Sequence, residues 1–348
     1  MSANTPSVSS DGQAEARLHA VLRFAAGTTT AFVLCEWLQW PLSFLAPVLT
    51  AVLLANLPIR PPLKMGVALL VTMSVAALFA FALASLFRGV PAVLFGLIGL
   101  CMFFAFQAMA AGRARLPALL LLICLATIPV VVMIAPAQAG FLPMALIRGI
   151  GLALLAIWTV YLPWPRAMVP KPASAATPDT ITPPTMALLC TVIVLPLMLV
   201  YLLFGLADAL PVLVATVMLV ANFDLQRSRL HAAGMILGNV AGGLLGLLLY
   251  GLLLTTPTLP FLALLLFVVL LGFGQRIVVG GPAAAVALIA CNAMLIIFGT
   301  AIASGPGSLS LWLARLLQFT LAGAFAIGMM TLVRYRMATV HPPGQAAT

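Results

Sequence analysis

Between Val21 and Val333 the chain is an almost unbroken succession of apolar runs, most of them separated by Pro, Gly or basic residues. About twenty residues of helix rise about 30 Å, the thickness of a bilayer's hydrocarbon core. The runs are continuous rather than alternating, which argues against membrane-spanning strands. They predict an all-α polytopic membrane protein of about twelve helices, over 20–38, 41–57, 65–87, 91–111, 116–135, 141–162, 186–206, 209–223, 231–254, 259–275, 281–302 and 309–333. Charged residues make up only 6% of the 348, and the mean hydropathy is +1.24. A water-facing surface needs about a quarter charged residues, so the expected surroundings are lipid. The first stretch is polar and lacks an apolar signal core, so no cleaved signal peptide is expected.

The net charge of +10 could suggest a nucleic-acid partner, but its distribution points elsewhere. Arg17, Arg23, Arg60, Lys64, Arg113, Arg115, Arg166, Lys171, Arg227, Arg229, Arg276, Arg334 and Arg336 all fall on one side of a twelve-span chain. The other side holds Arg88, with Glu36 and Asp208 near helix ends. Basic loops stay in the cytoplasm, so both termini are expected there. The five Trp (37, 40, 158, 164, 312) fall near predicted helix ends, as an interfacial belt requires. The five Cys (35, 101, 124, 190, 291) lie in apolar segments without metal-ligand spacing, and no metal or cofactor is expected.

The stretch 163–185, PWPRAMVPKPASAATPDTITPPT, reads as a cytoplasmic linker between a first membrane repeat, 20–162, and a second, 186–333. A cytoplasmic segment 1–19 and a tail 334–348 flank them. The halves echo one another. TAVLLAN, from Thr50 to Asn56, returns as TVMLVAN, from Thr216 to Asn222, 166 positions later. Cys124 and Cys291, and Arg148 and Arg315, are each 167 apart. A consistent offset of 166–167 predicts a duplication into two parallel six-helix repeats, related by a pseudo-twofold axis along the membrane normal.

Arg148 and Arg315 each lie about a third of the way into a predicted span. An Arg at a helix centre costs at least about 2.5–3.5 kcal/mol on insertion scales, which favours a cavity-facing, functional position. There the pair would form an anion site, since guanidinium grips carboxylate bidentately. The alternative is that both helices begin later and both Arg snorkel to the interface. Glu36 and Asp208 are either proton-exchanging acids or solvated turn acids. Thr50, Asn56, Thr216 and Asn222 are either inter-helix clamps and helix stops or polar lining of the inner mouth. Gly234, Gly238, Gly242 and Gly246, every fourth residue, predict a groove for a close helix neighbour. No Walker A, H-E-x-x-H or G-x-S-x-G pattern occurs, so the chain is not expected to be an enzyme.

Residues 22–34, LRFAAGTTTAFVL, then the Pro-started PLSFLAPVLTAVLLANLP and a basic turn, resemble the start of the fusaric acid resistance family. That family includes bacterial aromatic carboxylic acid exporters and is similar to plant aluminium-activated malate channels. The resemblance implies efflux of aromatic or other organic acids across the inner membrane of a Gram-negative bacterium, with a periplasmic membrane-fusion adaptor as partner; Glu36 or Asp208 would couple that efflux to protons. One departure is the short linker, which stands where the larger exporters carry a substantial cytoplasmic domain. A passive anion channel using the same Arg pair, and a non-transporting scaffold that binds an adaptor, are the competing expectations.

Overall fold

The computed structural model describes residues 10–57, 59–112, 115–136, 139–166, 182–205, 210–221 and 229–305, with helical residues 317, 318, 320–326, 328, 329, 331 and 332. Its elements are α1 (Ser10–Trp37), α2 (Leu45–Asn56), α3 (Leu63–Leu86), α4 (Pro91–Ala110), α5 (Arg115–Ile134), α6 (Phe141–Val160), α7 (Pro183–Leu203), α8 (Leu210–Ala221), α9 (Arg229–Thr255), α10 (Leu259–Val279) and α11 (Pro282–Ser304). Among the described residues there is no strand, and nine helices are long and apolar enough to cross a membrane. The chain is a multi-pass membrane protein: each long helix satisfies its own backbone, as a lipid-embedded segment must.

Local chemistry sets the helix ends. Pro occupies the first turn of α4, α7, α10 and α11, where its missing N–H is no loss. Gly280, at φ +80°, stops α10, which runs four residues past its expected end and takes Arg276 into its last turn. A cation there complements the helix dipole. The larger departure is α1, which begins at Ser10 rather than near residue 20. The stretch GQAEARLHA is polar, but Gln, Ala, Glu, Arg and Leu are good helix formers. A helix this long carries its first turns beyond the apolar span.

Two short helices lie inside the bundle. At 12 residues, α2 and α8 rise only about 18 Å, too little to cross alone. Every residue of α2 from Leu45 to Leu53 is buried, so it is apolar all round because protein surrounds it. The outward faces belong to other helices: Val67, Val71 and Leu78 on α3, Leu100 and Phe104 on α4, and Leu264 and Val268 on α10 are exposed. These large apolar faces are suited to lipid.

The packing follows a regular scheme. α1 lies against α10, and α4 against α7; α3 lies against α5, and α9 against α11; α5 meets α8, and α11 meets α2. α5 and α11 carry long runs of buried residues, Leu122–Val132 and Ala287–Gly299. The glycine ladder of α9 is a packing surface, as its spacing predicts. A Cβ on Gly242 would lie 2.1 Å from the Ala290 carbonyl oxygen of α11, and one on Gly246 2.8 Å from that of Met294.

Candidate functional site

The two Thr of the doubled motif are in matching states. Thr50 Oγ1 donates to Ala46 O, and Thr216 Oγ1 to Val212 O, each at 2.8 Å and buried. Each hydroxyl is therefore committed to its own helix, the i−4 back-bond usual for Thr in lipid-embedded helices. Asn56 Nδ2 likewise donates to Val52 O at 2.7 Å. Asn222, Asp208 and Arg315 lie outside the described residues.

Most buried Thr follow this pattern: Thr127 and Thr191 also donate to the carbonyl four residues back. Thr28 and Thr29 on α1 do not. Both are buried, at 0% and 7% exposure, and both hydroxyls lack a partner. Asn292 on α11 is 5% exposed; its Nδ2 reaches Met218 Sδ on α8 at 3.7 Å, while its Oδ1 has no partner. Thr28 lies about 13 Å from the Trp37 end of α1, and Asn292 about 15 Å from the start of α11. All three are therefore near mid-depth of a core about 30 Å thick. Unpaired polar atoms are costly there and rare. One turn beyond Thr28 and Thr29, toward the α1–α2 corner, Phe32 meets Phe298 of α11 with ring centroids 5.3 Å apart. Both rings are fully buried. Sequence reasoning passed over these residues; the run GTTTAF on one helix and an Asn inside an apolar one were the available signals.

The α1–α2 corner holds the other chemistry. Its Gln39 and Leu42 adopt left-handed φ of 51° and 58°, strained for a branched apolar residue such as Leu42. On one side Arg148, exposed on α6, sits with its guanidinium carbon 5.8 Å from the Trp40 ring centroid. That is a cation–π contact at the mouth of a cleft of only about 10 Å³. On another side Glu36 lines a cavity of about 350 Å³ with Trp37, Gln39, Thr258, Leu262 and Ile302. Glu36 is half-buried, and its Oε1 is buried without a hydrogen-bond partner.

At the opposite end the buried cation is Arg23, which reads in the sequence only as one of the basic residues setting orientation. It is 3% exposed. Its guanidinium donates to the carbonyls of Trp164 and Arg166, both at 2.6 Å, and stacks 4.3 Å from the Tyr161 ring. The Arg166 side chain pairs with Glu15 on the extended first turns of α1. These contacts pin the chain leaving α6 to α1. They are an anchor at the C-terminal end of a helix, where cations are favoured.

Among the described residues no three His, Cys, Asp or Glu side chains come together to hold a metal. Neither a curated protein nor a solved structure matches the chain. Residues 20–162, which carry most of α1 and all of α2 to α6, match the model of a family described as a protein of unknown function (DUF2955), itself uncharacterised.

Proposed function

We propose that the chain is an inner-membrane transporter that exports organic, including aromatic, carboxylic acids in exchange for protons. The observation that carries the reading is the mid-depth set of Thr28, Thr29 and Asn292, whose buried polar atoms have no partner within the protein. Polar groups left unpaired inside a membrane bundle are costly, and their retention supports a polar path through it. Midplane binding is also the pattern of transporters built from repeats. The Phe32–Phe298 contact then acts as a closed outer gate, which favours alternating access over an open channel.

Two parallel six-helix repeats, twelve helices in all, complete the reading. The packing scheme supports them: moving six helices along turns α1 against α10 into α7 against α4, α3 against α5 into α9 against α11, and α5 against α8 into α11 against α2. The positive-inside rule places both termini and the Arg23 anchor in the cytoplasm, and the α1–α2 corner outside. Arg148, with Arg315, attracts the substrate carboxylate at the outer mouth, and Glu36 and Asp208 exchange protons there. A periplasmic membrane-fusion adaptor is the partner such an exporter engages. The resemblance of residues 22–34 to the fusaric acid resistance family supports the substrate class.

The test is accumulation of radiolabelled benzoate in a bacterial strain lacking the gene. Restoring the wild-type chain lowers accumulation, and restoring Asn292→Leu or Arg148→Ala does not. Equal accumulation with and without the wild-type chain, across a panel of aromatic acids, contradicts the proposal.

A further inference from the structure

The Glu36 cavity has a counterpart. A second cavity, of about 690 Å³, lies between the start of α4 and the ends of α5 and α7, lined by Pro91, Phe95, Met133, Leu202, Leu203 and Gly205. Leu202 and Glu36, Leu203 and Trp37, Gly205 and Gln39, and Pro91 and Pro257 are each 166 positions apart, the offset of the doubled motif. The fold thus builds one cavity twice. In one copy the position is Leu and the walls are apolar. In the other it is Glu36, in a lining that also includes Thr258 and Gln39, whose Nε2 donates to the Glu36 main-chain oxygen at 2.7 Å. Because Leu serves at the matching position, packing alone does not require an acid at 36.

A carboxylate oxygen removed from water needs both a donor and a compensating charge. Among the described residues Glu36 has no ion pair, and its Oε1 has no donor. A metal ion would need further ligands, and the cavity has no second His, Cys, Asp or Glu. Its remaining walls, Leu253, Leu259, Leu262 and Ile302, suit a hydrocarbon body, and Trp37 adds an aromatic face that attracts cations. A volume of about 350 Å³ fits within the roughly 300–1,000 Å³ usual for small-molecule sites. We propose that this cavity is a binding site for an organic ammonium group carrying an apolar body, with the Glu36 carboxylate accepting its hydrogen bond. The ammonium supplies three donors and the missing charge together. Its source is either a soluble amine or the headgroup of an aminophospholipid in the outer leaflet.

The comparison with the Leu202 cavity rests on the repeat reading above; the chemistry of the Glu36 cavity does not. The test is equilibrium binding of radiolabelled phenethylammonium to the full chain in phosphatidylcholine nanodiscs, with no gradient and no organic acid present. Glu36→Gln, which keeps size and polarity, is expected to weaken binding about tenfold or more, as loss of a charge-assisted bond would. Leu202→Gln is expected to leave it unchanged. Competition by added phosphatidylethanolamine identifies the lipid as the source, and its absence identifies a soluble amine; both support the site. Wild-type protein that does not bind the probe, or Glu36→Gln that binds it equally, overturns the proposal. Binding measured this way is independent of transport, so a failed organic-acid assay leaves it standing, and the reverse holds too.

Discussion

The Arg23 guanidinium reaches across 141 positions of sequence to donate to the Trp164 carbonyl, and with the Arg166 carbonyl and the Tyr161 ring it ties the end of α6 to α1. A buried cation with two charge-assisted bonds is a strong anchor, since each such bond contributes about 1.5–3 kcal/mol. Arg23→Ala leaves both carbonyls unpaired and should destabilise the protein by about 2–4 kcal/mol. Arg23→Lys should recover only part of this: an ammonium has donors enough for both carbonyls, which Arg23 engages through one nitrogen, but it lacks the planar face stacked on Tyr161. Glu15→Gln, which breaks the exposed pair with Arg166, should cost less than about 1 kcal/mol. Thermal unfolding in detergent, followed by tryptophan fluorescence, orders the three; an unchanged midpoint for Arg23→Ala contradicts the anchor.

The α9–α11 contact makes a sharper structural prediction. Gly242→Ala places a methyl 2.1 Å from the Ala290 carbonyl oxygen, where backbone must move. Overpacking of this kind costs about 1–3 kcal/mol and sometimes more. Gly251→Ala on the same helix meets nothing within 4 Å and should be neutral or stabilising by up to about 1 kcal/mol from helix propensity. Comparable loss of folded protein in both variants would show that the ladder is not the close contact described here.

Asn292 separates stability from function. Asn292→Leu replaces a half-satisfied buried amide with an apolar side chain of similar size, a change that is close to neutral or stabilising by about 1 kcal/mol. The same change should abolish organic-acid export. A variant that is both stable and fully active removes Asn292 from the path.

The arrangement across the membrane is testable by labelling. A Cys introduced at Gln39, exposed in the α1–α2 corner, should react with a membrane-impermeant maleimide added to intact cells. One at Arg60, exposed in the α2–α3 turn, should react only after lysis. The native Cys35, Cys124, Cys190 and Cys291 are buried, and the half-buried Cys101 is replaced by Ser to remove background. The reverse pattern would invert the bundle.

The helices were legible because lipid demands long apolar runs and self-satisfied backbones, signals that need no tertiary knowledge. The likeness of the doubled motif was legible for a related reason: Thr50 and Thr216 carry the same back-bond to the carbonyl four residues earlier, so the same residue suits both. What the sequence concealed depends on neighbours far away in the chain. Arg23 looks like any basic residue near the end of an apolar run, and its partners are backbone carbonyls that no side-chain pattern reports. The start of α1 was hidden by its polarity, which reads as solvent exposure whether or not the segment is helical. Thr28 and Thr29 differ from Thr127 and Thr191 only in lacking the back-bond, a distinction that exists in space and not in composition. Arg148 could be read from its sequence position as cavity-facing or snorkelling; in the fold it is exposed and stacked over Trp40.

The most direct test of proton-coupled export is to count both species in one experiment. Purified protein in liposomes containing a trapped pH dye is given an outward benzoate gradient, and benzoate flux and internal pH are followed together. The account predicts that wild-type protein moves benzoate and protons in a fixed ratio, and that Glu36→Gln loses the proton movement driven by benzoate. Benzoate flux with no accompanying pH change in the wild-type protein, or coupled flux that survives Glu36→Gln unaltered, would contradict it.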